Sequence, residues 1–146
     1  MKKSLCATAL ISVLSISSVS AAEWTSGWAM GTTEYTINDG NQNELLIACS
    51  DDDGKYVQAY ATIAGQVYSS ENDPGFNVIL DGTEYTNPFD TYCNVCGQLF
   101  PSFWEHLRTA KTLQISQRGQ TVSLPTTSID VIKPLDHPEN TCRASW

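Results

Sequence analysis

Four cysteines, Cys49, Cys93, Cys96 and Cys142, constrain this chain more tightly than any other feature. A fifth, Cys6, falls inside residues 1–22, which read as a cleavable signal peptide. Lys2 and Lys3 form a positive start, an apolar stretch runs from Leu5 to Leu14, and Val19 with Ala21, or Ser20 with Ala22, satisfies the small-residue cleavage pattern. The apolar run is about half of the roughly 20 residues that a spanning helix needs, which favours a removed leader over an anchor. An even number of cysteines in a small exported domain implies disulfides, with three pairings open. The preferred pairing is Cys49 with Cys142 and Cys93 with Cys96, because a core-facing Cys49 needs a distant partner and Cys142 would otherwise leave the tail loose. The alternatives link Cys49 to Cys93 or Cys96, and Cys142 to the other.

Residues 23–146 are the size of one domain. Without Lys2 and Lys3 the chain holds six Lys or Arg against sixteen Asp or Glu. That balance argues against nucleic acid and anionic lipid, which need clustered cations, and it admits a basic protein partner. Past the leader no apolar run is long enough to insert in a membrane.

The domain reads as mostly strands. Leu45, Ile47 and Cys49 alternate with Leu46 and Ala48, and Val57, Ala59, Ala61 and Ile63 alternate with Tyr56, Gln58, Tyr60 and Thr62. A five-residue loop, Asp51 to Lys55, pairs Ile47 with Ala59 and Leu45 with Ala61, so that both aliphatic stripes share one face; a one-residue slip would split them. Further strands are expected over Thr32–Ile37, Gln66–Ser69, Phe76–Leu80 and Glu84–Thr86. Leu113 and Ile115 pair with Val122 and Leu124 around Gln117-Arg118-Gly119-Gln120. The expected fold is mainly β, an antiparallel sandwich or small barrel, with one short helix over about 101–110. Phe100, Phe103, Trp104 and Leu107 have the helical spacing, and Pro101 suits a first turn.

Cys93-Asn94-Val95-Cys96 ahead of a helix is the sharpest chemical motif. A helix N-terminus stabilises a thiolate, so such a pair can exchange disulfides. Tyr92-Cys93-x-x-Cys96 with Pro101 five residues on resembles the active-site stretch of thioredoxin-like proteins. Those proteins place it directly after a buried strand, whereas here it follows Asn87-Pro88-Phe89-Asp90. The acidic setting, including Asp90, and the four residues between Cys96 and Pro101 favour a structural disulfide. No catalytic residue, metal site or cofactor is assigned. Asp51-Asp52-Asp53-Gly54 does not match a calcium loop once Gly54 is set at position 6, because Tyr60 then falls at position 12. His106 is expected to face solvent, and His137 lies in the tail.

Aromatic residues suggest the binding surface. Tyr56, Gln58 and Tyr60 share the face opposite the aliphatic stripe, and Trp24, Trp28 and Trp146 stand near the two ends of the domain; Tyr and Trp are common anchors of interfaces.

The stretch from Phe103 to Ile115, followed by Gly119-Gln120-Thr121-Val122-Ser123-Leu124-Pro125, resembles the invasion-associated locus B family of exported bacterial proteins. The resemblance implies a β-rich periplasmic domain without recognised catalytic residues, and it carries no site over. The reading is therefore a non-enzymatic binding or accessory domain, periplasmic or secreted, in an inhibitor, immunity or envelope role with a protein partner. The alternatives are a thiol–disulfide oxidoreductase using Cys93 and Cys96, and a structural envelope protein.

Overall fold

A computed structural model describes residues 22–146. The leader expected over residues 1–22 lies outside the described residues except for Ala22. Among the described residues nine strands form two antiparallel sheets. The first contains, in spatial as in chain order, β1 (Thr25–Ala29), β2 (Thr32–Asn38), β3 (Glu44–Ser50), β4 (Gln58–Ile63) and β5 (Gln66–Ser69). The second contains β6 (Asn77–Leu80), β7 (Thr83–Thr86), β8 (Leu113–Gln117) and β9 (Gln120–Leu124), ordered β7-β6-β8-β9. The one long helix among the described residues, α1 (Asn94–Thr109), lies between β7 and β8 in the chain. The sandwich expectation holds, with two separate sheets rather than a closed barrel.

Local chemistry explains the pairing. Met30-Gly31, Ala64-Gly65, Asp81-Gly82 and Arg118-Gly119 each join two strands, and in every pair both residues have positive φ. Two-residue turns of this kind match the right-handed twist of the strands they connect. The longer β3–β4 connection preserves the register that keeps the stripes together: Leu45 faces Ala61 and Ile47 faces Ala59.

The two sheets and α1 share one core. Tyr35, Ile37, Leu45, Ile47, Ala59, Ala61 and Ile63 point inward from the first sheet, and Val78, Leu80, Leu113 and Ile115 from the second. Phe100, Phe103, Trp104 and Leu107 bring the apolar face of α1 onto them. Burying each such side chain contributes about 1.5–3 kcal/mol.

Three expectations require correction. The helix begins at Asn94, not near Pro101, so Pro101 lies inside it. Its exposed ring sits where the missing N–H would have bonded the Gly97 carbonyl, and the helix continues past that gap. Trp24 is 1% exposed and packed in the core, and its backbone N–H donates to the Thr127 carbonyl at 2.9 Å. β1, absent from the expected strands, has all five residues exposed and so carries no alternating pattern to read.

The tail is tied down at several points. Cys142 bonds Cys49 across 93 residues, and Val57 N–H donates to the Arg143 carbonyl at 2.9 Å. The Arg143 guanidinium reaches the acidic turn, donating to the Asp52 and Lys55 carbonyls at 2.7 and 3.1 Å. The Asp51–Gly54 run is thus the clamped loop of a hairpin. Among the described residues no helix is long and apolar enough to cross a membrane.

Candidate functional site

The site grows from the entry to α1. Cys93 is its N-cap, with extended backbone, and its Sγ accepts the Cys96 N–H at 3.0 Å. The Cys93 carbonyl accepts the Gly97 N–H at 2.9 Å. A sulfur therefore performs the task usually given to a Ser, Thr, Asp or Asn oxygen. Cys93 bonds Cys96; Cys93 is exposed and Cys96 half-buried. The first helical turn contains no acidic residue. Asp90 is engaged elsewhere, its Oδ1 accepting the Tyr92 N–H at 3.2 Å.

The C-terminal residues brace this entry. Ser145 N–H donates to Thr91 Oγ1 at 3.1 Å, and Ser145 Oγ bonds the Thr91 carbonyl. Trp146 donates its indole N–H to the Tyr92 carbonyl at 2.8 Å. Trp146 also packs on Gly97: a Cβ there would meet the Trp146 Cβ at 2.7 Å and the Thr91 carbonyl oxygen at 3.1 Å. The absence of a side chain at 97 is what allows the tail this close.

Two clefts flank the Cys93 turn. One, of about 220 Å³, lies on the outer side of the first sheet, where Tyr56, Gln58, Lys55, Thr32 and Ser50 meet Tyr92. Tyr56 and Tyr92 pack edge to face with centroids 5.9 Å apart. The other, of about 320 Å³, runs between β7 and α1; Tyr85 and Pro88 form one wall, and Val95, Cys96, Leu99 and Phe100 the other. Tyr92, Val95, Leu99 and Trp146 are each 59–65% exposed, which concentrates four large apolar side chains at one end of one helix.

The expected binding residues scatter accordingly. Tyr56, Gln58 and Trp146 come together around Tyr92. Tyr60 shares the outer face with Gln58 but does not line the cleft, and Gln58 donates to Glu71 at 2.7 Å. Trp28 is exposed on β1, over Thr33, Tyr35 and Lys133, away from this group. Trp24 is excluded by burial. Tyr92, Val95 and Leu99 were not among the expected residues; Tyr92 precedes the cap, and Val95 and Leu99, four apart, share a helix face that is readable only if the helix is known to start before them.

His106 also departs from expectation. It is half-buried, its Nδ1 2.8 Å from the Tyr85 hydroxyl and its Nε2 3.2 Å from Asp81 Oδ2. Asp81 additionally accepts the backbone N–H groups of Lys111 and Thr112 at 2.9 Å. The Thr112 bond foremost, with the Lys111 and His106 bonds, outweighs desolvation and holds the Asp81 carboxyl below its ordinary range. This array fastens the end of α1 to the β6–β7 turn. The cysteines that could have formed a four-thiolate zinc site are instead joined in two disulfides.

Residues 22–131 match the YfjT family model, and the chain belongs to that family. The match covers both sheets and α1 and stops before Cys142. Nothing found links the chain to the invasion-associated locus B family, although the helix, strand, glycine turn and strand of that resemblance are present as α1, β8, Gly119 and β9. No curated protein and no solved structure matches the chain.

Proposed function

We propose that this YfjT-family chain is an exported binding domain that engages a protein partner through the surface around the start of α1. The observation that carries this reading is the gathering of exposed Tyr92, Val95, Leu99 and Trp146 beside the Cys93–Cys96 turn. Val95 and Leu99 line the same cleft between β7 and α1, and exposed apolar surface of this kind is costly to leave in water and marks interaction sites. Tyr56 and Tyr92 add the rigid amphipathic anchors typical of interfaces. Two disulfides in so small a domain support an oxidising compartment, the periplasm or outside the cell, and the Lys2–Ala22 leader supports the route there. The acidic surplus favours a basic partner, in an inhibitor, immunity or envelope-accessory role. The likeness to invasion-associated locus B proteins over Phe103–Pro125 supports the same class of small exported domain.

Capture from an envelope extract by the purified protein tests the reading. Wild type should retain a discrete partner; Val95→Glu and Leu99→Glu, at exposed positions, should lose most of that capture while unfolding within about 0.5 kcal/mol of wild type. Equal capture by both variants and wild type would move the interface elsewhere.

A further inference from the structure

We infer that Cys93–Cys96 is an exchangeable disulfide that takes two electrons from a substrate dithiol, with Cys93 Sγ as the sulfur attacked. The two disulfides among the described residues occupy opposite environments. Cys49 and Cys142 are buried in the core, out of reach of any external thiol. Cys93 is exposed at a surface turn, and the cleft between β7 and α1 opens beside the bond it makes with Cys96. A nucleophile can therefore approach Cys93 without unfolding the domain.

The helix decides which sulfur leaves as a stable anion. Cys93 is the N-cap of the sixteen-residue α1, and its Sγ already accepts the Cys96 N–H. The unsatisfied N–H groups of a first turn, together with the helix dipole, favour negative charge there and lower a thiol's pKa. One of the two features expected to oppose this is absent, since α1 starts at Asn94 instead of near Pro101; the other, Asp90, keeps its charge, with its Oδ1 accepting the Tyr92 N–H.

The step balances without a further reagent. One thiolate of the dithiol attacks Cys93 Sγ, forms a mixed disulfide and expels Cys96 Sγ, which takes up a proton. The second thiol of the dithiol, as thiolate, then attacks the dithiol's own sulfur in that mixed disulfide. A disulfide forms within the substrate and Cys93 Sγ departs as a thiolate. Two electrons pass from the substrate, which is oxidised, to the protein, which is reduced; of the two protons lost by the dithiol, one stays on Cys96 and one goes to solution.

Glutathione serves as the probe, since each pair of its thiols supplies the same two electrons and no protein partner is required; failure of partner capture would therefore leave this result standing, and the reverse. The folded full chain is incubated in glutathione buffers of graded ratio, quenched by alkylation and mapped by peptide mass. Cys93 and Cys96 should become alkylated at ratios that leave Cys49–Cys142 intact, with reduction faster by roughly tenfold or more. In the reduced protein Cys93 should alkylate with a midpoint below the ~8.5 of free cysteine. Reduction of both disulfides together, or a Cys93 midpoint at or above that value, would overturn the assignment. In Cys96→Ser, Cys93 should accumulate as a stable glutathione adduct, because no resolving thiol remains; a persistently free Cys93 in that folded variant counts equally against it.

Discussion

Gly97 lies so close to Trp146 that a single added carbon would stand 2.7 Å from the Trp146 Cβ. The contact binds the first turn of α1 to the last residue of the tail, and so joins the Cys93 turn to the strap that begins at Cys142. Gly97→Ala should destabilise the protein by about 1–3 kcal/mol through overpacking, even though Ala is worth ~1 kcal/mol more than Gly in a helix. Denaturant unfolding measures it. The double variant with Trp146→Ala should recover part of the loss, and an increase in stability on Gly97→Ala alone would contradict the packing described.

The disulfides should contribute unequally. Cys49–Cys142 closes a separation of 93 residues and Cys93–Cys96 one of 3. The chain-entropy model gives about 4–5 kcal/mol for the first and about 2 for the second. Paired Ser replacements compared by urea titration should preserve that order. A larger loss from the Cys93/Cys96 pair would mean that the short bridge, rather than the long one, holds the fold.

Asp81 makes stability depend on acid. Its carboxyl is held below the ordinary range chiefly by the Thr112 N–H, then by Lys111 and His106, against desolvation. A depressed folded pKa contributes stability that is present above the unfolded value, near 3.9, and is lost as pH falls through the folded value. Melting temperature followed below pH 4 should fall less steeply in Asp81→Asn than in wild type, with the variant melting lower at neutral pH. Identical acid limbs would place the sensitivity elsewhere, with Asp39, also lowered by Asn43 and Asn41 against desolvation, the next group to replace.

Tyr85→Phe removes the hydroxyl that meets His106 Nδ1 while retaining the ring that packs on Phe103 at a centroid distance of 5.0 Å. The loss should be about 0.5–1.5 kcal/mol, the usual net worth of one such bond. Thermal unfolding should report a small decrease with no change in far-UV circular dichroism.

What the sequence revealed followed the strength of its periodic signals. Leu45, Ile47 and Cys49 against Val57, Ala59 and Ala61 left one register that kept both stripes on the same face, and its Leu45–Ala61 and Ile47–Ala59 pairs are observed, while Val57 turns its N–H to the Arg143 carbonyl instead of pairing with Cys49. The Asp81-Gly82 and Arg118-Gly119 turns were readable from their chemistry. β1 was not, because no residue of Thr25–Ala29 is buried. The start of α1 was hidden twice over. Cys93 caps it with a sulfur, which is no usual signal, and Pro101 imitates a first-turn residue while standing well inside. Most of the candidate site was lost with that boundary: Val95 and Leu99 share a face only on a helix that begins at Asn94, with Tyr92 just ahead of its cap. Tyr56, Gln58 and Trp146 were anticipated as surface residues, but their meeting at Tyr92 depends on tertiary placement of the tail, which periodicity does not encode.

The spacing of the two bridges also bears on the order in which sulfurs meet during synthesis. Of the four bridged cysteines Cys49 emerges first and its partner, Cys142, 93 residues later, so Cys93 and Cys96 both follow Cys49 while it is still free. Short loops close far more readily than long ones. Cys93 and Cys96, three residues apart, should therefore pair with each other before either captures Cys49. The small bridge thus acts as a chaperone of pairing for the large one, and a chain carrying Ser at only one of those two positions should accumulate Cys49 in the wrong bond, visible as a shifted band on non-reducing gels.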